Sequence, residues 1–144
     1  MQISMISKNF SNDQWRTLQA LVDCLIPRDD FPSGWEAGVG EYLARQFEGD
    51  LREAVPMYAQ SLDALDAEAH AALGQPFVAL DLKSQTHLLN QIEQGQTKTA
   101  WPTNAQSFLT TAMNHAAEGF YSDPGNGGNT NSAAWKMVGY DVKG

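Results

Sequence analysis

Apolar residues recur along this chain at three- and four-residue steps, the repeat of one helix face. Trp15, Leu18, Leu21, Val22, Leu25 and Ile26 form the first stripe. Ser11 and Gln14 stand at its start with the spacing of a capping box, and Pro27 stops it because the ring removes a backbone donor. Val39, Tyr42, Leu43 and Phe47 predict a second helix, with Gly49 as its stop and Asp50 as the cap of the next helix. Leu51, Val55, Tyr58, Leu62, Leu65 and Ala69 predict a third and longest helix. Pro56 must lie in its first turn or kink it, and Gly74 and Pro76 end it. Asp81 opens a fourth helix carrying Leu88, Leu89 and Ile92, closed by Gly95. Thr103 or Asn104 caps a fifth, with Phe108, Leu109, Ala112, Met113, Ala116 and Phe120 facing inward. The one strand-like stretch, residues 77–80, is too short and too isolated to pair. The pattern therefore predicts an all-α fold, a compact bundle of about five helices forming one domain over residues 1–144.

The C-terminal segment from about residue 120 to 144 breaks the pattern. It is rich in Gly and Asn, yet it holds Phe120, Tyr121, Trp135 and Tyr140. Between Thr99 and Trp135 only Glu118 and Asp123 carry charge. Disordered tails are usually charged and poor in aromatics, so this segment reads as an ordered loop that packs on its own core or on a partner.

Composition narrows the function. The 144 residues are 42% apolar, enough for a core without covalent staples. Nine Lys and Arg against seventeen Asp and Glu give a net charge of −8. With no basic stripe, nucleic acid and anionic membrane surfaces are poor partners. No apolar run approaches the length of a membrane span. The single cysteine, Cys24, excludes an internal disulfide and a cysteine-based zinc cluster. The opening residues MQISMISKNF hold no twin Arg and no signal-length apolar stretch, so the chain as given is expected in the cytoplasm; it would be periplasmic if a signal was trimmed or a partner carries one.

Candidate chemistry is sparse. Asp63, Asp66 and His70 fall on one helix face, and they read as a solvated acidic face with a helix-end His rather than as a metal site. His115 and Glu118 would need a second Glu-x-x-His pair to form a di-metal bundle site, and His87 has Ser84 in the required place. His87 and His115 read as surface or core-edge hydrogen-bonders. Cys24 lies late in the first helix beside Leu25, which suits a packed thiol better than a nucleophile. The stretch from Asp123 to Asn129 lacks the ligands of a calcium loop and the Lys of a phosphate loop. No catalytic, cofactor-binding or metal residue is assigned.

Three blocks are specific in combination. The first runs from Leu18 through Leu21-Val22-Asp23, Leu25-Ile26-Pro27-Arg28-Asp29-Asp30 and Gly34, Ala37-Gly38-Val39 to Glu41-Tyr42-Leu43. The second is Phe77 and Leu80 leading into a Gln- and Leu-rich helix. The third joins Gly119-Phe120-Tyr121-Ser122-Asp123-Pro124 to Gly127-Gly128-Asn129 and then to Trp135, Val138, Gly139 and Tyr140. Over about residues 14–142 the chain resembles the gluconate 2-dehydrogenase subunit 3 family. That resemblance implies a small, non-catalytic accessory subunit. Its expected partner is a large FAD-dependent catalytic subunit of the glucose–methanol–choline type that oxidises sugars, glycosides or sugar acids; some complexes add a cytochrome. FAD is expected in that partner and not in this chain. Interfaces are enriched in aromatics and depleted in charge. On that ground Trp101, Phe120, Tyr121, Pro124, Asn126, Gly128, Asn129 and Trp135 are the expected partner interface, although Phe120 and Trp135 equally suit plain core positions. Two rival functions stay open at this point: a stand-alone carbohydrate-binding helical module, and an enzyme with a metal site in the bundle core.

Overall fold

The computed structural model describes residues 9–26, 35 and 38–120. Among these residues five α-helices follow one another: α1 Asn12–Leu25, α2 Val39–Glu48, α3 Val55–Leu73, α4 Leu82–Glu93 and α5 Ala105–Phe120. Short 3-10 turns at Arg52–Ala54 and Phe77–Ala79 precede α3 and α4. The described residues contain no strand, as the periodicity predicts.

Local signals set most of the boundaries. Ser11 accepts from the Gln14 N–H while the Gln14 side chain accepts from the Ser11 N–H, so the capping box of α1 forms as expected. Asp81 accepts from the Ser84 N–H at 2.8 Å and caps α4. Of the two residues expected to cap α5, Asn104 does so, accepting from the Ser107 N–H at 2.8 Å. Thr103 turns instead to the Ser61 hydroxyl at 2.7 Å.

Two expectations need correction. Asp50 caps nothing: α3 starts at Val55 with Ala54 as its cap residue and no side-chain cap. Pro56 sits in that first turn, where its missing N–H costs nothing, so the 3-10 turn takes up the residues assigned to an earlier helix start. Met113 does not face inward, because it lies on the solvent side of α5 and is 41% exposed. The stretch at 77–80 pairs with no strand, as expected; Phe77–Ala79 form a 3-10 turn that carries Phe77 into the core.

Helix α5 is the hub and packs against α1, α2, α3 and α4. Its inner face carries Phe108, Leu109, Ala112, Ala116, Gly119 and Phe120, all buried. A ladder of edge-to-face rings crosses the core: Trp15, Phe10, Phe47, Tyr58 and Phe108, with centroids 4.9–5.4 Å apart. Fully burying an aromatic side chain contributes about 1.5–3 kcal/mol, and edge-to-face contact adds about 1 kcal/mol more.

Two glycines permit helix contacts that a side chain would block. A Cβ on Gly119 would meet the Tyr42 ring at 2.6 Å and its Cβ at 3.3 Å. A Cβ on Gly40 would meet the Trp35 ring at 2.6 Å. Trp35 is also tied to α1, since its N–H donates to Asp23 Oδ1 at 3.1 Å. These contacts explain why Gly119 and Tyr42 both occur in the motif blocks.

The Gly119→Ala variant tests this packing. Rotation about χ1 would swing the Tyr42 ring away from its packed position and still leave its Cβ in tight contact at 3.3 Å. Overpacking is expected to outweigh the better helix propensity of Ala and cost about 1–3 kcal/mol. A thermal melt at or above the wild-type midpoint would show that α2 and α5 can part freely.

Candidate partner-facing surface

The polar groups that suggested chemistry mostly hold the fold. Asp63 accepts from Gln14 Nε2 at 3.1 Å and ties α3 to α1. Asp66 accepts from the Phe77 N–H at 2.8 Å and fixes the turn before α4. His70 and His87 are exposed. The described residues hold no group of three His, Cys, Asp or Glu placed to bind a metal ion.

His115 and Tyr58 form a core-edge pair. Their rings stack with centroids 5.7 Å apart, and Tyr58 Oη lies 2.7 Å from His115 Nδ1. Burial lowers the His115 pKa, against a smaller opposing pull from Glu118, so the imidazole stays neutral. Burial, reinforced by the Glu118 charge, pushes the Tyr58 phenol well above its ordinary value. The phenol therefore donates to Nδ1.

Cys24 Sγ donates to Gln85 Oε1 at 3.3 Å. Burial pushes its thiol up to about 11; the Asp23 charge adds a little, and a Thr86 hydrogen bond opposes. Gln85 in turn donates to the Phe77 carbonyl at 2.9 Å. The thiol is a strut between α1 and α4.

The polar centre that the helical periodicity does not reveal is Glu68. It is 1% exposed, on the inner face of α3. Its carboxylate accepts from Trp101 Nε1 at 3.1 Å, from Thr99 Oγ1 at 2.6 Å and N–H at 3.2 Å, and from the Lys98 N–H. Burial alone would raise its pKa. The hydrogen bonds of Thr99, Lys98 and Trp101 together outweigh burial and hold the carboxyl below its ordinary range. Ser61, also buried, lies seven residues earlier and bonds Thr103. Two polar residues one heptad apart on an apolar stripe were the available signal.

This clamp holds the α4–α5 connection. Trp101 is half-buried, packed on Phe108 with centroids 6.5 Å apart. It lines a shallow hollow of about 410 Å³ with Thr97, Thr103 and Gln106. Phe120 is buried in the core at 1% exposure. The structure thus does not bring these two aromatics onto one surface. Tyr121, Pro124, Asn126, Gly128, Asn129 and Trp135 lie outside the described residues.

The surface beyond Trp101 is nearly free of charge. From Gly95 to Ala117 only Lys98 is charged. The exposed residues of α5 are Gln106, Ser107, Thr110, Met113, Asn114 and Glu118. Beside them a second hollow of about 310 Å³ opens between α1, α4 and α5. Leu25, Leu89, Leu109 and Met113 supply its apolar lining, Thr86, Asn90 and Asn114 neutral polar lining, and Glu93 its one charge. An acidic chain that leaves the outside of its hub helix with Glu118 as the one charge and Met113 exposed offers a surface of interface composition.

The model of the family described as gluconate 2-dehydrogenase subunit 3 matches residues 12–142. The chain belongs to that family. No curated protein and no solved structure matches it. Membership of the gluconate 2-dehydrogenase subunit 3 family makes it an accessory subunit, implying a catalytic partner. No described helix is long and apolar enough to cross a membrane.

Two measurements check this anatomy. Glu68→Gln removes the negative acceptor and turns an amide N–H₂ toward backbone donors, which should cost about 2–4 kcal/mol. Because the folded-state pKa is depressed, the carboxylate's contribution is fully present above the ordinary value of 4.5 and fades as pH falls through the lower folded-state value. Denaturation of both proteins should converge on acidification; a constant gap would remove the charge from the explanation. Separately, Cys24 should resist iodoacetamide at pH 7 in the folded state and react once unfolded. Fast alkylation of the native protein would contradict the strut.

Proposed function

We propose that this chain is the non-catalytic small subunit that binds, stabilises and assists assembly of a large FAD-dependent dehydrogenase of the glucose–methanol–choline type. The partner oxidises a sugar, glycoside or sugar acid and holds the flavin. The observation that carries this reading is the outer surface of α5 and the connection before it. Helix α5 packs against every other described helix, and its outer face is poor in charge, with Met113 exposed on it and Glu118 its one charged residue, the composition of a surface that a partner covers.

The engaged state of the polar groups supports the same reading. Cys24, Asp63, Asp66, Glu68 and His115 each hold a structural hydrogen bond. A subunit that supplies shape can use its polar side chains this way, whereas a catalyst must keep some of them free for substrate. Stabilisation of the partner is a matter of mass action: a chain that binds only the folded form raises the apparent stability of both.

Co-expression with a large FAD-dependent dehydrogenase subunit from the same host tests the proposal. A stable complex retaining flavin, with sugar-dependent dye reduction only when both chains are present, is the expected result. Turnover of a sugar by the isolated chain, with neither flavin nor companion, would overturn it.

A further inference from the structure

Helix α4 stands as a ridge between two hollows. One is the 310 Å³ hollow toward α5, where Met113 is 41% exposed. The other, of about 780 Å³, lies toward the end of α3, where Leu73 and Leu82 are 47% and 50% exposed. The hollows share two lining residues, Thr86 and Asn90, one turn apart on α4. Both are short and uncharged, so the ridge is low at the point where the hollows meet. Three of the four large apolar side chains exposed among the described residues therefore fall on one continuous strip.

Charge marks the two ends of that strip. Lys83 lines the hollow beside Leu82, Glu93 lines the hollow beside Met113, and His87 lines the hollow beside Leu82 between Thr86 and Asn90, near the middle of the strip. Asp81, the cap of α4, also lies near the first end but accepts from the Ser84 N–H and does not line the hollow. Lys83 and Glu93 are ten residues apart, about 15 Å along the helix. That length matches roughly three turns of a second helix.

We propose that this strip receives one amphipathic helix of about three turns from the catalytic flavoprotein subunit. The inference rests on the accessory-subunit reading and deepens it by assigning the surface and the occupant. A helix satisfies its own backbone groups, so it can lie on leucine and methionine without stranding N–H and C=O groups. Its apolar face meets Leu73, Leu82 and Met113, and its middle is uncharged over Thr86 and Asn90. Its C-terminal end, with the partial negative charge of its carbonyls and an acidic side chain, lies by Lys83. Its N-terminal end, with a basic side chain, lies by Glu93.

Binding of the full chain to the purified flavoprotein subunit, measured by calorimetry and surface kinetics, tests the assignment. Leu82→Glu and Met113→Glu change exposed residues and should leave the fold and melting temperature intact. Each is expected to weaken binding at least about 30-fold, the loss typical of a buried apolar anchor. Lys83→Glu and Glu93→Lys should slow association about three- to tenfold, more at low salt. Glu53→Lys, away from both hollows, should bind as wild type does. Wild-type affinity in both apolar variants would overturn this inference and leave the accessory role standing. Absence of any complex with the unaltered chain would overturn both. A dimer of the isolated chain that Met113→Glu disperses would identify the occupant as a second copy and overturn the proposal. A drop in melting temperature of the isolated variants would show the strip already covered by this chain and do the same.

Discussion

The Glu68 carboxylate is the constraint on which the outer half of the bundle depends. It is buried, ionised and held by four donors from the α4–α5 connection. An unpaired buried charge would be expensive, so the connection must come to it. Once Lys98, Thr99 and Trp101 are placed, Thr103 reaches Ser61 and Asn104 reaches the first turn of α5. The start of the hub helix is thus set from α3, across the core, and not only by its own cap.

That arrangement links the core to the surface. Trp101 donates to Glu68 and packs on Phe108, which packs on Tyr58 at the centre of the aromatic ladder. Tyr58 also holds His115 on the next turns of α5. Helix α5 is therefore pinned at its start by Glu68, at its middle by Tyr58 and at its end by Tyr42 against Gly119. A rigid hub can present an outer face poor in charge without rearranging, which lowers the ordering cost of binding. The family's accessory role fits a molecule whose polar side chains serve position.

The sequence alone determined the class of fold, the five helices and most of their ends, because caps, prolines and glycines act over three or four residues. Ser11 with Gln14, Asp81, Gly74 and Pro56 do in the structure what their local chemistry predicts. The motif blocks were also sufficient to identify the family. Asp50 misleads because a 3-10 turn at Arg52–Ala54 delays the start of α3 to Val55. Met113 and Glu68 are not legible in the pattern for one shared reason. Whether a side chain at helical spacing faces core or solvent depends on the angle at which neighbouring helices cross it. Periodicity carries no record of that angle. Met113 sits on the inward stripe by spacing, yet the packing of α5 on its four neighbours turns it outward, while the same packing closes over a charged Glu68 because four donors from a distant stretch of chain converge on it.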